Sequence, residues 1–116
     1  MKEENAIKDK STKFAIRIIE MYKYLQSEKS ETVMSKQLLR SGTSIGANVS
    51  EGVYAQSRND FISKMSIALK EAAETEYWLE LLIKTGYITE KQHNSMREDC
   101  REVIKLLAAI VKSTKN

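Results

Sequence analysis

Arg40-Ser41-Gly42-Thr43-Ser44-Ile45-Gly46-Ala47-Asn48-Val49-Ser50-Glu51-Gly52 puts three glycines into a segment whose apolar residues keep a helical period. Each glycine inside a helix costs about 1 kcal/mol relative to alanine, so their presence needs a physical reason. At about 100° per residue, Gly42 and Gly46 share a face with Leu38, Ile45 and Val49. A missing side chain there lets another backbone approach, and the expectation is a close helix crossing at Gly42 and Gly46, extending the small-residue logic of membrane helices. The alternative is a loop that splits the helix in two. A phosphate-cradling loop fits poorly, because no Gly-Lys-Ser/Thr ending follows and no strand precedes.

Working outward, the pattern predicts a helix over 32–54, carrying Met34, Leu38, Leu39, Ile45, Val49 and Val53. Before it, Ile7, Phe14, Ile18, Met21 and Leu25 recur at helical spacing and predict a helix over 10–25, broken by Gln26-Ser27-Glu28-Lys29-Ser30. After it, Ser57 with Asp60 reads as a capping box that opens a helix over 58–84, and Gly86 reads as its left-handed terminus. Thr89-Glu90-Lys91-Gln92 is a second capping box, opening a helix over 90–112. The short breaks make consecutive helices antiparallel neighbours, so the predicted fold is all-α: a single domain over 1–116, an antiparallel up-down-up-down four-helix bundle.

Composition agrees. The 116 residues contain no proline, and 30% are charged against 41% hydrophobic, a balance that suits amphipathic helices in water. No run approaches the roughly 18 apolar residues of a membrane span and no signal peptide is evident, so a cytoplasmic protein without membrane association is expected. The net charge of +3 is mildly uneven. It falls short of the basic footprint of a dedicated nucleic-acid domain.

The segment from Gln37 to Gly52, followed by Asp60-Phe61 and Ile67-Ala68-Leu69-Lys70-Glu71-Ala72, resembles the four-helix-bundle family of 23S rRNA intervening-sequence proteins. The similarity covers nearly the whole chain, and relatives include the accessory protein of diversity-generating retroelements. What the resemblance implies is a four-helix bundle, a ring-shaped homopentamer and RNA binding through a basic surface. It brings no catalytic residues.

The third helix is apolar on two faces. Phe61, Met65, Ala68, Ala72, Leu79 and Ile83 form the expected core stripe, while Ile67, Trp78 and Leu81 lie well away from it. That second stripe touches either an adjacent helix or another subunit, with Trp78 as the anchor of an oligomer interface in the second case. Glu76 falls close to the core stripe. A buried carboxylate there needs a partner, for which Arg40 or Asn48 is the candidate, unless Glu76 stands half exposed at the bundle edge.

The nucleic-acid argument is clearest in the fourth helix, where Arg97, Arg101, Lys105 and Lys112 lie within about one quarter of the circumference. Glu98, Asp99 and Glu102 are expected mostly on the far side of that stripe. The first helix adds Lys10, Lys13 and Arg17, and the second adds Lys36 and Arg40. Such stripes attract phosphates without reading sequence; ordinary solvated surfaces with ion pairs such as Glu98–Arg101 and Glu102–Lys105 are the alternative. A protein partner for RNA processing or reverse transcription is the other binding expectation.

Enzymatic chemistry is not expected. A di-metal bundle site wants Glu-x-x-His twice, and the one histidine, His93, belongs to no such motif. His93 is expected to face solvent, and Cys100 lies in the apolar stripe as a structural thiol. No metal or cofactor is predicted.

Overall fold

The computed structural model describes residues 2–115, which form α1 (Lys2–Lys29), α2 (Met34–Val53), α3 (Arg58–Lys84) and α4 (Glu90–Lys115). Cross-helix contacts give the directions: Gly42 of α2 meets Ile18 of α1 and Gly46 meets Ser11, so α2 runs antiparallel to α1. Arg40 reaches Glu71 and Lys64 reaches Glu51, which makes α2 and α3 antiparallel. Arg58 reaches Thr114 while Glu76 meets Arg101, reversing α4 against α3. Helices adjacent in sequence pack together and α1 closes against α4, while among the described residues the backbones of the diagonal pairs stay apart. The bundle measures 44 × 20 × 18 Å, close to the roughly 42 Å that a 28-residue helix such as α1 spans at 1.5 Å per residue.

The apolar stripes meet in one core. Ile7, Phe14, Ile18 and Leu25 of α1 are buried with Leu38, Ile45 and Val49 of α2, Met65, Ala72, Leu79 and Leu82 of α3, and Cys100, Val103 and Leu107 of α4. Each aliphatic side chain fully buried in this way contributes on the order of 1.5–3 kcal/mol.

Three boundaries differ from the sequence expectation. The first helix begins at Lys2 instead of about residue 10, because Ile7 is already a core residue. It also continues through Gln26 to Lys29, where Gln26 Nε2 donates to Ser35 Oγ at 3.1 Å. Its end is the left-handed residue Ser30 (φ 52°), and the Glu31 N–H returns to the Leu25 carbonyl at 3.0 Å. The fourth helix runs to Lys115 instead of 112, and the Arg58 guanidinium donates from Nε and Nη2 to the Thr114 carbonyl at 3.0 and 2.7 Å. That cation satisfies a terminal carbonyl and opposes the negative end of the helix dipole.

Helix α2 starts in a way the sequence reading missed. Its flanking residue Val33 has no side-chain capping bond. The Glu31 carboxylate does the work instead, accepting from the backbone N–H groups of Val33, Met34 and Ser35 at 3.2, 3.1 and 2.7 Å. The other caps follow expectation more closely. Thr89 and Gln92 bond reciprocally at 3.1 and 2.8 Å, and Gly86 has φ 82°. Ser57 Oγ accepts from Asp60 N at 3.1 Å, while the Asp60 carboxylate takes the Gln56 N–H rather than that of Ser57.

The glycine segment is one unbroken helix, which removes the split-helix alternative. Gly42 packs tightly, since a Cβ there would stand 2.7 Å from Ile18 Cγ1 and Cγ2. Gly46 is looser: a Cβ would sit 3.6 Å from the Ser11 carbonyl oxygen, an ordinary contact. Gly52, buried at the end of α2, faces the Met65 methyl instead.

The buried face of α3 is rotated from the expected stripe. Thr75 and Leu82 are buried, whereas Phe61 and Ile83 are only half-buried. Thr75 belongs inside because its hydroxyl lies 3.0 Å from Ser41 Oγ and 2.8 Å from the Glu71 carbonyl, so no polar atom is stranded.

Candidate nucleic-acid interface

Along α4, Arg97, Arg101 and Lys105 follow one another at four-residue steps and line an open surface trough with Asn94, Glu98 and Glu102. The three cations therefore extend over about 12 Å of one helix face. Glu98 and Glu102 border this trough rather than lying across the helix. The reason is geometric: Glu98 and Glu102 are offset by only about 20° and 60° from Lys105, the cation nearest each in phase.

Ion pairs occupy most of the predicted cations. Arg101 Nε lies 2.5 Å from Glu76 Oε2, and Arg97 Nε lies 3.9 Å from the same oxygen. Lys10 pairs with Glu102, while Lys13 pairs with Asp9 at 3.0 Å along its own helix. Arg17 bonds Asp99 at 2.6 Å and donates to Ser95 Oγ at 2.8 Å. Arg40 spans to Glu71 at 3.1 Å and to Glu74. Among the described residues, Lys36, Lys105 and Lys112 have no ion pair. The expected pairs Glu98–Arg101 and Glu102–Lys105 do not form, because Glu76 and Lys10, on neighbouring helices, take Arg101 and Glu102.

The nine cations do not make one surface. Lys10, Lys13 and Arg17 border the α1–α4 seam beside the α4 stripe, and Lys10 and Lys13 line a groove there with Phe14, Asp99, Glu102 and Val103. Lys36 and Arg40 lie on α2, which is diagonal to α4.

Of the two readings of Glu76, the structure has the half-exposed residue at the bundle edge and not a buried pair with Arg40 or Asn48. Glu76 lies on the α4 flank of α3, whereas Arg40 approaches from the α2 flank, and Asn48 Nδ2 donates to the Ser44 carbonyl at 2.9 Å. Glu76 is half-buried, and its Oε2 atom is fully enclosed with no aligned hydrogen-bond donor, so Arg101 holds it by charge. Glu76, Glu80, Arg97 and Arg101 line a groove between α3 and α4, and His93 is there too, half-buried instead of facing solvent. Glu80 is tied to Lys84 at 2.7 Å; that hydrogen bond holds its carboxyl below, and the Lys84 ammonium above, the usual values.

Cys100 is buried, its thiol facing the Ala72 carbonyl at 3.4 Å. Burial, then the Glu76 charge, pushes it from 9.0 up to about 12, which keeps it a thiol. Among the described residues no three His, Cys, Asp or Glu side chains stand together to hold a metal ion. Nor, among the described residues, is any helix long and apolar enough to cross a membrane.

On α3, Trp78 is half-buried against the core and donates from Nε1 to Glu74 Oε2 at 2.9 Å, joining the Arg40 pair. Tyr77 packs edge-on to it, with ring centroids 5.2 Å apart. Leu81 is half-buried and Ile67 is 39% exposed. Exposed apolar residues that the sequence reading passed over are Ile16 (53%), Ile19 (37%), Tyr77 (52%) and Tyr54 (85%). Ile16 and Ile19 were legible as apolar positions off the α1 core stripe.

The described residues thus form an all-α four-helix bundle with ion pairs across three of its seams and a cationic trough along α4. The chain belongs to the family of 23S rRNA-intervening sequence proteins, whose model matches residues 3–109. It is also similar to a solved protein of unknown function from the S23 ribosomal protein family of Bacteroides thetaiotaomicron, at 61% identity and a TM-score of 0.94 over 95% of this chain and 98% of that one. No curated protein matches the chain.

Proposed function

We propose that this chain is a non-enzymatic, self-associating cytoplasmic bundle that holds structured RNA by its phosphates, in the 23S intervening-sequence context that its family name carries. The observation that supports it is the α4 trough, where Arg97, Arg101 and Lys105 face solvent together. The guanidiniums are about half exposed, at 49% and 46%, and can reach an anion while still anchored to α3. Lys10, Lys13, Arg17 and Lys112 extend the field on the same side. Contact of this kind reads charge and shape, since the trough has no aromatic platform for bases.

Labelled structured RNA, titrated at about 50 and 200 mM salt, tests the reading. Binding should fall steeply with salt, and Arg97→Ala with Arg101→Ala and Lys105→Ala should reduce both affinity and slope. Lys36→Ala, on the opposite helix, should change little. Salt-independent binding, or none, overturns the proposal.

Self-association, as the ring of five that the family resemblance implies, draws on the α3 edge at Ile67, with Trp78 and Leu81 beside it. Sedimentation of Ile67→Asp checks that part. An adaptor for a protein partner is the second reading, favoured by exposed Ile16 and Ile19 on α1; such binding should survive loss of the α4 cations and fail with Ile16→Asp.

A further inference from the structure

The geometry points to Glu76 as an internal competitor for RNA: its carboxylate occupies Arg97 and Arg101 in the free protein and sets how strongly the α4 trough binds phosphate. This rests on the phosphate-binding reading above. Glu76 approaches from α3, so it belongs to no pattern visible along α4 itself. One carboxylate faces two guanidiniums at 2.5 and 3.9 Å, which leaves the pair with about one net positive charge instead of two. The carboxylate is also poorly satisfied, since its enclosed oxygen lacks an aligned donor.

The surrounding charges sharpen the assignment. Glu80 borders the same groove but is held by Lys84, outside the arginine pair. His93 lines that groove as well. Lys105, in the trough that Glu98 and Glu102 also line, is held by no ion pair. Glu76 is thus the acid placed to oppose arginine–phosphate contact, and Glu80 is a built-in control that removes equal charge from the same groove.

The test is RNA affinity across a salt series for the full-length protein and for Glu76→Gln, Glu76→Asp and Glu80→Gln. Each cation freed to release a counterion steepens the salt slope by about 0.9 and contributes roughly threefold over a fourfold salt change. Glu76→Gln, which restores one net positive charge, should therefore bind on the order of threefold tighter at low salt with a steeper slope, and Glu76→Asp should fall between it and the parent. Glu80→Gln frees Lys84, which lines neither the trough nor the groove, and should stay within about twofold of the parent. Adding Arg97→Ala and Arg101→Ala to Glu76→Gln should erase the gain. An unchanged slope in Glu76→Gln, or an equal gain in Glu80→Gln, overturns the proposal; if Glu76→Gln does not fold, an Asp variant identical to the parent does so. RNA binding in none of the proteins instead defeats the phosphate-binding reading on which it stands.

Discussion

Gly42 lies against Ile18, and a β-carbon on the glycine would come within 2.7 Å of both branches of the isoleucine. Neither branch is a flexible chain end, because Ile18 is wholly buried. Gly42→Ala should therefore destabilise the protein by about 1–2 kcal/mol, with overpacking outweighing the gain in helix propensity. Gly46→Ala meets only an ordinary contact and should stabilise by up to about 1 kcal/mol. Urea denaturation of the two variants checks the contrast, and equal shifts would refute it.

Removing the Glu31 carboxylate should expose how α2 begins. Three backbone donors lose their acceptor in Glu31→Ala, and a loss of about 1–3 kcal/mol is expected. Thermal unfolding measures it; a change below a few tenths would show that water replaces the cap.

The difference between those two predictions shows what the sequence revealed. Helical periodicity and capping boxes made α2, α3 and α4 legible, and the small residues of α2 flagged a close approach. Periodicity is local, however, so it did not separate Gly42 from Gly46, whose environments depend on which α1 side chain lies opposite. Glu31 was hidden for another reason: its carboxylate bonds up to four residues ahead, at a start without the usual Ser, Thr or Asp flanking residue. The site shows the same limit. Lys105 and the two arginines were readable as a stripe, but the carboxylate that neutralises the arginines, Glu76, arrives from α3, and ion-pair partners across helices leave no spacing signal.

Buried Cys100 should resist alkylation in the native protein at pH 8, and iodoacetamide labelling should follow unfolding. Its raised pKa also fixes a sign. The unfolded thiol ionises near 9.0 while the folded one holds its proton to about 12, so its contribution is complete below 9 and lost as pH climbs toward 12. Lys10 and Lys84, raised by Glu102 and Glu80, act in the same direction. Cys100→Ala should make the alkaline decline of Tm shallower without abolishing it; an identical decline would contradict the burial argument.

The Ser41–Thr75 hydroxyl pair joins α2 to α3 inside the core at 3.0 Å. Ser41→Ala and Thr75→Val should each cost about 1 kcal/mol, and the double variant less than the sum, because one deletion leaves the other hydroxyl underused. Additive losses in a double-mutant cycle would show that the hydroxyls act independently.

Three of the four helix seams carry ion pairs: Arg40–Glu71, Arg101–Glu76 and Arg17–Asp99. Among the described residues the α1–α2 seam carries none and relies on glycine shape and the Gln26–Ser35 bond. The half of the chain that leaves the ribosome first therefore joins by fit and an uncharged hydrogen bond, with little dependence on ionic strength. The later half is fastened by charges across its seams. A rise in salt would loosen the closing helix before the opening hairpin, so the order in which the bundle opens answers to ionic strength.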